Sequence, residues 1–143
     1  MVTRGKGKMT YANGDTYEGD LVNGKFHGKG RYSFANGTVY EGDWVEGNFH
    51  GKGKITSANT VYEGDIVKGV LHGKGKYTFE NGDVYEGDFV DGEQTGKGTF
   101  NWVDGTVYEG DFDNGNLHGK GKMTWADGNV FEGYWEGDKL VEE

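Results

Sequence analysis

One tetrad recurs through the whole chain at nearly fixed spacing. Tyr-Glu-Gly-Asp begins at Tyr17, Tyr40, Tyr62, Tyr85 and Tyr108, and returns as Phe-Glu-Gly-Tyr at Phe131, with intervals of 23, 22, 23, 23 and 23 residues. A second element, Gly-Lys-Gly, begins at Gly5, Gly28, Gly51, Gly73, Gly96 and Gly119 with the same single shortened interval. A fixed period of this length is the signature of a repeat architecture, in which one supersecondary unit buries its apolar face only against its neighbours. Residues 1–143 therefore read as a single array of about six 23-residue repeats, the first and last partial. The chain opens inside a repeat at Gly5, which reads as truncation or a minimal cap.

Each unit reads as two strands. Segments such as Lys76–Phe79 and Val84–Phe89 alternate with a period of two, and Asn-Gly or Asp-Gly pairs between them are strong hairpin signals. With 29 Gly in 143 residues and no 3.6-residue periodicity, a helix is excluded. A three-residue loop at Ala35-Asn36-Gly37 sets Tyr32 against Tyr40, Gly30 against Gly42 and Gly28 against Trp44 on one face. The other face then pairs Arg31 with Glu41 and Lys29 with Asp43, and a one-residue slip would destroy both patterns. A two-residue loop at Glu46-Gly47 sets Trp44 against Phe49, Gly42 against Gly51, Tyr40 against Gly53, Glu41 against Lys52 and Asp43 against His50. The 22-residue unit tests the scheme: shortening its loop to Ala58-Asn59 keeps Ile55 opposite Tyr62.

The expected fold is all-β: a single-layer, twisted antiparallel meander of about twelve strands built from repeated β-hairpins, roughly 55–60 Å long at ~4.8 Å per strand. One face is aromatic and glycine; the other is a checkerboard of Asp and Glu against Lys, Arg and His. No sequence remains for a covering layer, so the aromatic face must curl on itself, meet another copy or receive a partner.

The stretch Tyr40-Glu41-Gly42-Asp43-Trp44, then Gly47, then Phe49-His50-Gly51-Lys52-Gly53 resembles the MORN repeat, and the resemblance covers essentially the whole chain. It implies a twisted single-layer run of hairpins that serves as a scaffold. Some family members bind phosphoinositides, others grip a partner peptide along the aromatic groove, and others self-associate. The chain departs from the pattern at Gln94-Thr95, which replaces an apolar-His pair, at Ser57, which replaces a strand aromatic, and at Leu21 and Ile66, which replace Trp or Phe.

Several functional classes are excluded or disfavoured. A formal net charge of −9 is the wrong sign for a nucleic-acid binder and opposes an anionic lipid surface. No signal peptide follows Met1-Val2-Thr3 and no apolar run is long enough to span a membrane, so a soluble cytoplasmic protein, cytoskeleton- or membrane-associated, is expected. The absence of Cys removes disulfides and thiolate metal sites. Glu18, Glu41, Glu86 and Glu109 face Lys or Arg in a solvated lattice, whereas an acid/base pair needs two carboxyls in unlike environments. His27, His50, His72 and His118 fall in different repeats, too far apart for one ion, and read as cross-strand partners of Asp20, Asp43, Asp65 and Asp111. Gly-Lys-Gly lacks the helix that a phosphate loop needs. No catalytic residue, metal or cofactor is therefore expected.

The function that follows is a non-catalytic protein–protein interaction scaffold whose aromatic-glycine groove, lined by Tyr40, Trp44, Tyr62, Tyr85, Phe89, Tyr108 and Phe112, receives a partner peptide or helix or another copy. The alternative is a phosphoinositide or anionic-lipid binding module tethering a complex. A homo-oligomer by face-to-face or head-to-tail contact is also compatible, because Arg4, Lys6 and Lys8 lie near one end and Glu132, Glu136, Asp138, Glu142 and Glu143 near the other.

Overall fold

The computed structural model describes residues 4–141, which hold thirteen strands and no helix. The chain divides into two compact units, Met1–Val70 and Leu71–Glu143. The first carries β1 (Arg4–Thr10), β2 (Thr16–Val22), β3 (Lys25–Ser33), β4 (Val39–Val45), β5 (Asn48–Thr56) and β6 (Val61–Val67). The second carries β7 (Val70–Thr78, entering at its second residue), β8 (Val84–Val90), β9 (Glu93–Asn101), β10 (Val107–Asp113), β11 (Asn116–Thr124), β12 (Val130–Glu136) and β13 (Lys139–Val141). Within each unit every strand pairs antiparallel with the strands before and after it in the chain. The expectation of about twelve strands omits only the three-residue β13, where Leu140 pairs with Trp135.

Two turn types alternate. The longer turns close as anticipated: Phe34 N–H donates to Thr38 O at 2.8 Å, and Gly37 sits at φ +95°, in the left-handed region that glycine enters without penalty. In the shortened repeat, Ser57 N–H donates to Thr60 O at 2.9 Å and Ile55 faces Tyr62, so the one-residue deletion is absorbed by the loop. The short turns have left-handed residues at both central positions, as at Glu46 (φ +46°) and Gly47 (φ +88°), the twist-matched hairpin form.

The register of β3 on β4 is the expected one throughout, from Gly28 opposite Trp44 to Tyr32 opposite Tyr40. The register of β4 on β5 is correct only beside the turn, where Trp44 faces Phe49. Beyond it Gly42 faces Gly53 rather than Gly51, Glu41 faces Lys54 rather than Lys52, and Tyr40 faces Ile55 rather than Gly53. A bulge separates the two stretches, with Asp43 alone on β4 set against His50, Gly51 and Lys52 on β5. Its physical cause is the Asp43 carboxylate, which turns into the gap and accepts the Lys52 N–H at 2.9 Å. Gly51 makes the gap possible, since a Cβ there would stand 2.7 Å from Asp43 Oδ2. The bulge adds two residues, so parity and the sorting of side chains between faces survive it.

The core lies on the ring face. Tyr17, Tyr40, Tyr85 and Tyr108 are fully buried, and Trp44, Tyr62, Ile66, Phe89 and Phe112 nearly so.

Candidate interaction face

Each buried tyrosine is held by its own tetrad. The Tyr40 ring lies flat over β5, so that a Cβ on Gly53 would come within 2.5 Å of its Cε1. Its hydroxyl donates to Asp43 O at 2.6 Å, and Tyr17, Tyr62, Tyr85 and Tyr108 make the same bond to Asp20, Asp65, Asp88 and Asp111. Loss of water around the ring is the main reason the Tyr40 hydroxyl is pushed up to about 12, with the nearby Asp43 charge adding to it. Phe49 stacks on Tyr40 at 3.9 Å between centroids and Trp44 meets it edge-on at 5.2 Å.

This arrangement corrects the groove assigned from sequence. Tyr40, Trp44, Tyr62, Tyr85, Phe89, Tyr108 and Phe112 are 0–4% exposed and form the core rather than a lining. The glycine floor lets the rings lie down against the sheet, and a second set of side chains then covers them. That second set is half-buried: Tyr32, Phe34 and Phe49 in the first unit, Tyr77, Phe79, Phe100 and Trp102 in the second. Its members touch in chains, with Tyr32–Phe34 at 4.7 Å, Phe79–Phe100 at 5.6 Å and Phe100–Trp102 at 4.6 Å. The alternation that puts Phe34 opposite Thr38 on the ring face is the sequence signal for this outer layer.

The opposite face carries two rows of charge. In one, the lysine of each of the first five Gly-Lys-Gly elements reaches the aspartate of the next strand: Lys6–Asp20, Lys29–Asp43, Lys52–Asp65, Lys74–Asp88 and Lys97–Asp111. The lysine beside them and the accepted backbone N–H hold the Asp20, Asp43 and Asp88 carboxyls below their ordinary value. In the other row, Lys8, Glu18, Arg31, Glu41, Lys54 and Glu63 follow one another in register across six strands. The glutamates thus sit in one repeated solvent-facing setting.

The histidines are not partners of these aspartates. His27, His50 and His72 instead accept, at Nδ1, the backbone N–H of Glu46, Lys68 and Asp91, each in the next short turn. In the same turns the following glycine N–H donates to the carbonyl of Phe26, Phe49 or Leu71 at 2.8 Å. The apolar-His pair of one hairpin therefore satisfies both N–H groups of the next turn. No group of three acidic or histidine side chains among the described residues could hold a metal ion. Of the end charges, Lys6 is taken up by Asp20, and Asp138 Oδ1 accepts the Leu117 N–H at 2.7 Å; Glu142 and Glu143 lie outside the described residues.

No curated protein matches the chain. Among solved structures, the SAS-4 (dCPAP) TCP domain of Drosophila melanogaster, in complex with a proline-rich motif of Ana2 (dSTIL), is similar over 87% of this chain, with 12% identity and a TM-score of 0.49. The aligned part is 62% of that domain's length. A sequence profile of the MORN repeat matches residues 4–16, 17–39, 40–60, 62–84, 85–107 and 108–130. With residues 4–130 matched except for position 61, the chain belongs to the MORN repeat family.

Proposed function

We propose that the chain is a non-catalytic interaction module that receives a protein segment on its outer ring layer. The carrying observation is the half-buried series Tyr77, Phe79, Phe100 and Trp102, with Tyr32, Phe34 and Phe49 as its counterpart in the first unit. Side chains in this state offer apolar area and ring edges to a partner without costing the fold its core, which lies beneath them. The repeated solvated setting of the glutamates, and the ion-paired state of the lysines, support a reading without catalysis. The same pairing disfavours anionic lipid, because Lys29, Lys52, Lys74 and Lys97 already face aspartates.

Site-specific photo-crosslinking tests the reading. A photoreactive residue at Phe34, Phe79 or Phe100 is compared with one at Glu41 or Lys54 on the charged face of the first unit. Protein adducts from the ring-face positions alone are expected. Adducts only from the charged face, or salt-sensitive flotation with anionic vesicles and no adduct, would overturn it.

A further inference from the structure

The alternating row of the first unit has a break in its counterpart in the second. There the row reads Lys76, Glu86, Thr99, Glu109, Lys122 and Glu132. Thr99 stands where Arg31 separates Glu18 from Glu41, where Lys54 separates Glu41 from Glu63, and where Lys122 separates Glu109 from Glu132. Glu86 and Glu109 are both exposed and straddle β9, roughly 9–10 Å apart at ~4.8 Å per strand. Thr95, on the same strand and face, replaces the histidine of the other repeats. Lys97 stands between Thr95 and Thr99 on this face but is committed to Asp111, which leaves Thr99 as the short side chain between Glu86 and Glu109.

A second break of opposite sign lies close by. Lys120 faces Tyr134, where the five preceding lysines of its row meet an aspartate, and it has no carboxylate within ion-pair distance among the described residues. It lines a 240 Å³ cavity with Lys97, Glu109, Lys122 and Glu132. Among the described residues, every other lysine or arginine of these two rows stands opposite a carboxylate. Here the lattice lacks one cation and, two strands on, one anion.

We propose that the charged face of the second unit docks a partner protein segment through a basic side chain seated on Thr99 between Glu86 and Glu109, with a carboxylate of the same segment meeting Lys120. An arginine or lysine there completes the alternation in trans, and it gains two carboxylates at once where any other strand already supplies its own cation. Pairing of complementary charge on a rim of this kind sets specificity and register more than raw affinity. This surface lies on the opposite face from the outer ring layer, and neither reading depends on the other.

The test is a random-peptide display selection on the full chain, followed by titration of labelled peptides against wild type, Thr99→Lys and Phe79→Ser. Thr99→Lys restores the residue type found at this position in other repeats, and a urea midpoint no lower than wild type verifies its fold. The selected peptides are expected to share a basic residue. Their affinity should fall about tenfold, about 1.4 kcal/mol, both on Thr99→Lys and on replacing that residue with a neutral one, and stay unchanged in Phe79→Ser. Selected peptides without a common basic residue, unchanged affinity for Thr99→Lys, or an empty selection would each overturn the proposal. Loss in Phe79→Ser alone would overturn it while supporting the ring-face reading.

Discussion

Thr95 Oγ1 accepts the backbone N–H of Asn114 at 3.1 Å, taking with a hydroxyl the part that His72 Nδ1 takes toward Asp91 one repeat earlier. The two side chains share a position, a face and an acceptor atom near the same place. What this repeat position requires is therefore an acceptor aimed at the next short turn, rather than an imidazole. Asn114 occupies the left-handed region at φ +48°, as Asp91 does at φ +49°, so the bond holds a conformation that costs a non-glycine residue energy.

From this relationship, Thr95→Val should lower stability by about 1 kcal/mol, the net worth of one hydrogen bond with part of its loss returned by water. Thr95→His should hold or raise it. Urea unfolding followed by circular dichroism reads both. Equal loss in the two variants would mean that size at this position matters and the acceptor does not.

Tyr85 offers a sharper division between ring and hydroxyl. Tyr85→Phe removes only the bond to Asp88 O at 2.7 Å and should cost about 1 kcal/mol. Tyr85→Ala empties a fully buried site and should cost about 3–5 kcal/mol. Gly98→Ala should be nearly as damaging, because its Cβ would stand 2.5 Å from Tyr85 Cε1. Urea midpoints in that order are the expected result, and any partner binding lost in Tyr85→Ala would then follow from unfolding.

Most of this architecture was legible because two signals agreed. The Asn-Gly and Glu-Gly turns fixed loop lengths, and the requirement that rings and charges fall on opposite faces fixed parity; Tyr32 opposite Tyr40 followed from both, and Ile55 opposite Tyr62 from parity alone. The bulge at Asp43 escaped because it inserts two residues. Gly42 opposite Gly51 and Gly42 opposite Gly53 satisfy the face rule equally, and only the Asp43–Lys52 bond distinguishes them. The burial of Tyr85 and Phe112 escaped for a different reason. A single hairpin exposes both rings, which meet at 4.9 Å only across successive hairpins, so their covering is a property of the stack. Thr99 was readable in the sequence but had no meaning until the Glu86–Thr99–Glu109 register was known.

The aspartate row predicts acid lability. Hydrogen bonds from Lys29 and Lys74 are the leading reason the Asp43 and Asp88 carboxyls sit below their ordinary 3.8. Groups with a lowered folded value stabilise the fold above the unfolded value and lose that contribution as pH falls through the lowered one. The urea midpoint should therefore stay flat above pH 5, approximately, and fall steeply below pH 4, approximately. An Asp43→Asn, Asp88→Asn variant should start lower at neutral pH and fall less. An identical acid limb in that variant would move the effect to other carboxylates.

The tyrosine ladder predicts the opposite limb. Burial pushes Tyr17, Tyr40, Tyr62 and Tyr108 up to about 12 from an ordinary 10.0, and raises Tyr85 further. A raised folded value means that the stabilisation is complete below pH 10.0 and drains away as pH climbs through about 12. Ionisation also removes the donor that each hydroxyl gives to its aspartate carbonyl, so one tyrosinate loosens the strand on which the next ring rests. Tyrosinate absorbance and loss of far-ultraviolet circular dichroism should rise together, in a transition steeper than a single titration. Tyr85→Phe with Tyr108→Phe should make that transition shallower and shift it to higher pH relative to the variant's own neutral stability. Tyrosinate appearing in full near pH 10, with the dichroism unchanged, would mean that these hydroxyls are open to water and that the rings do not hold the hairpins together.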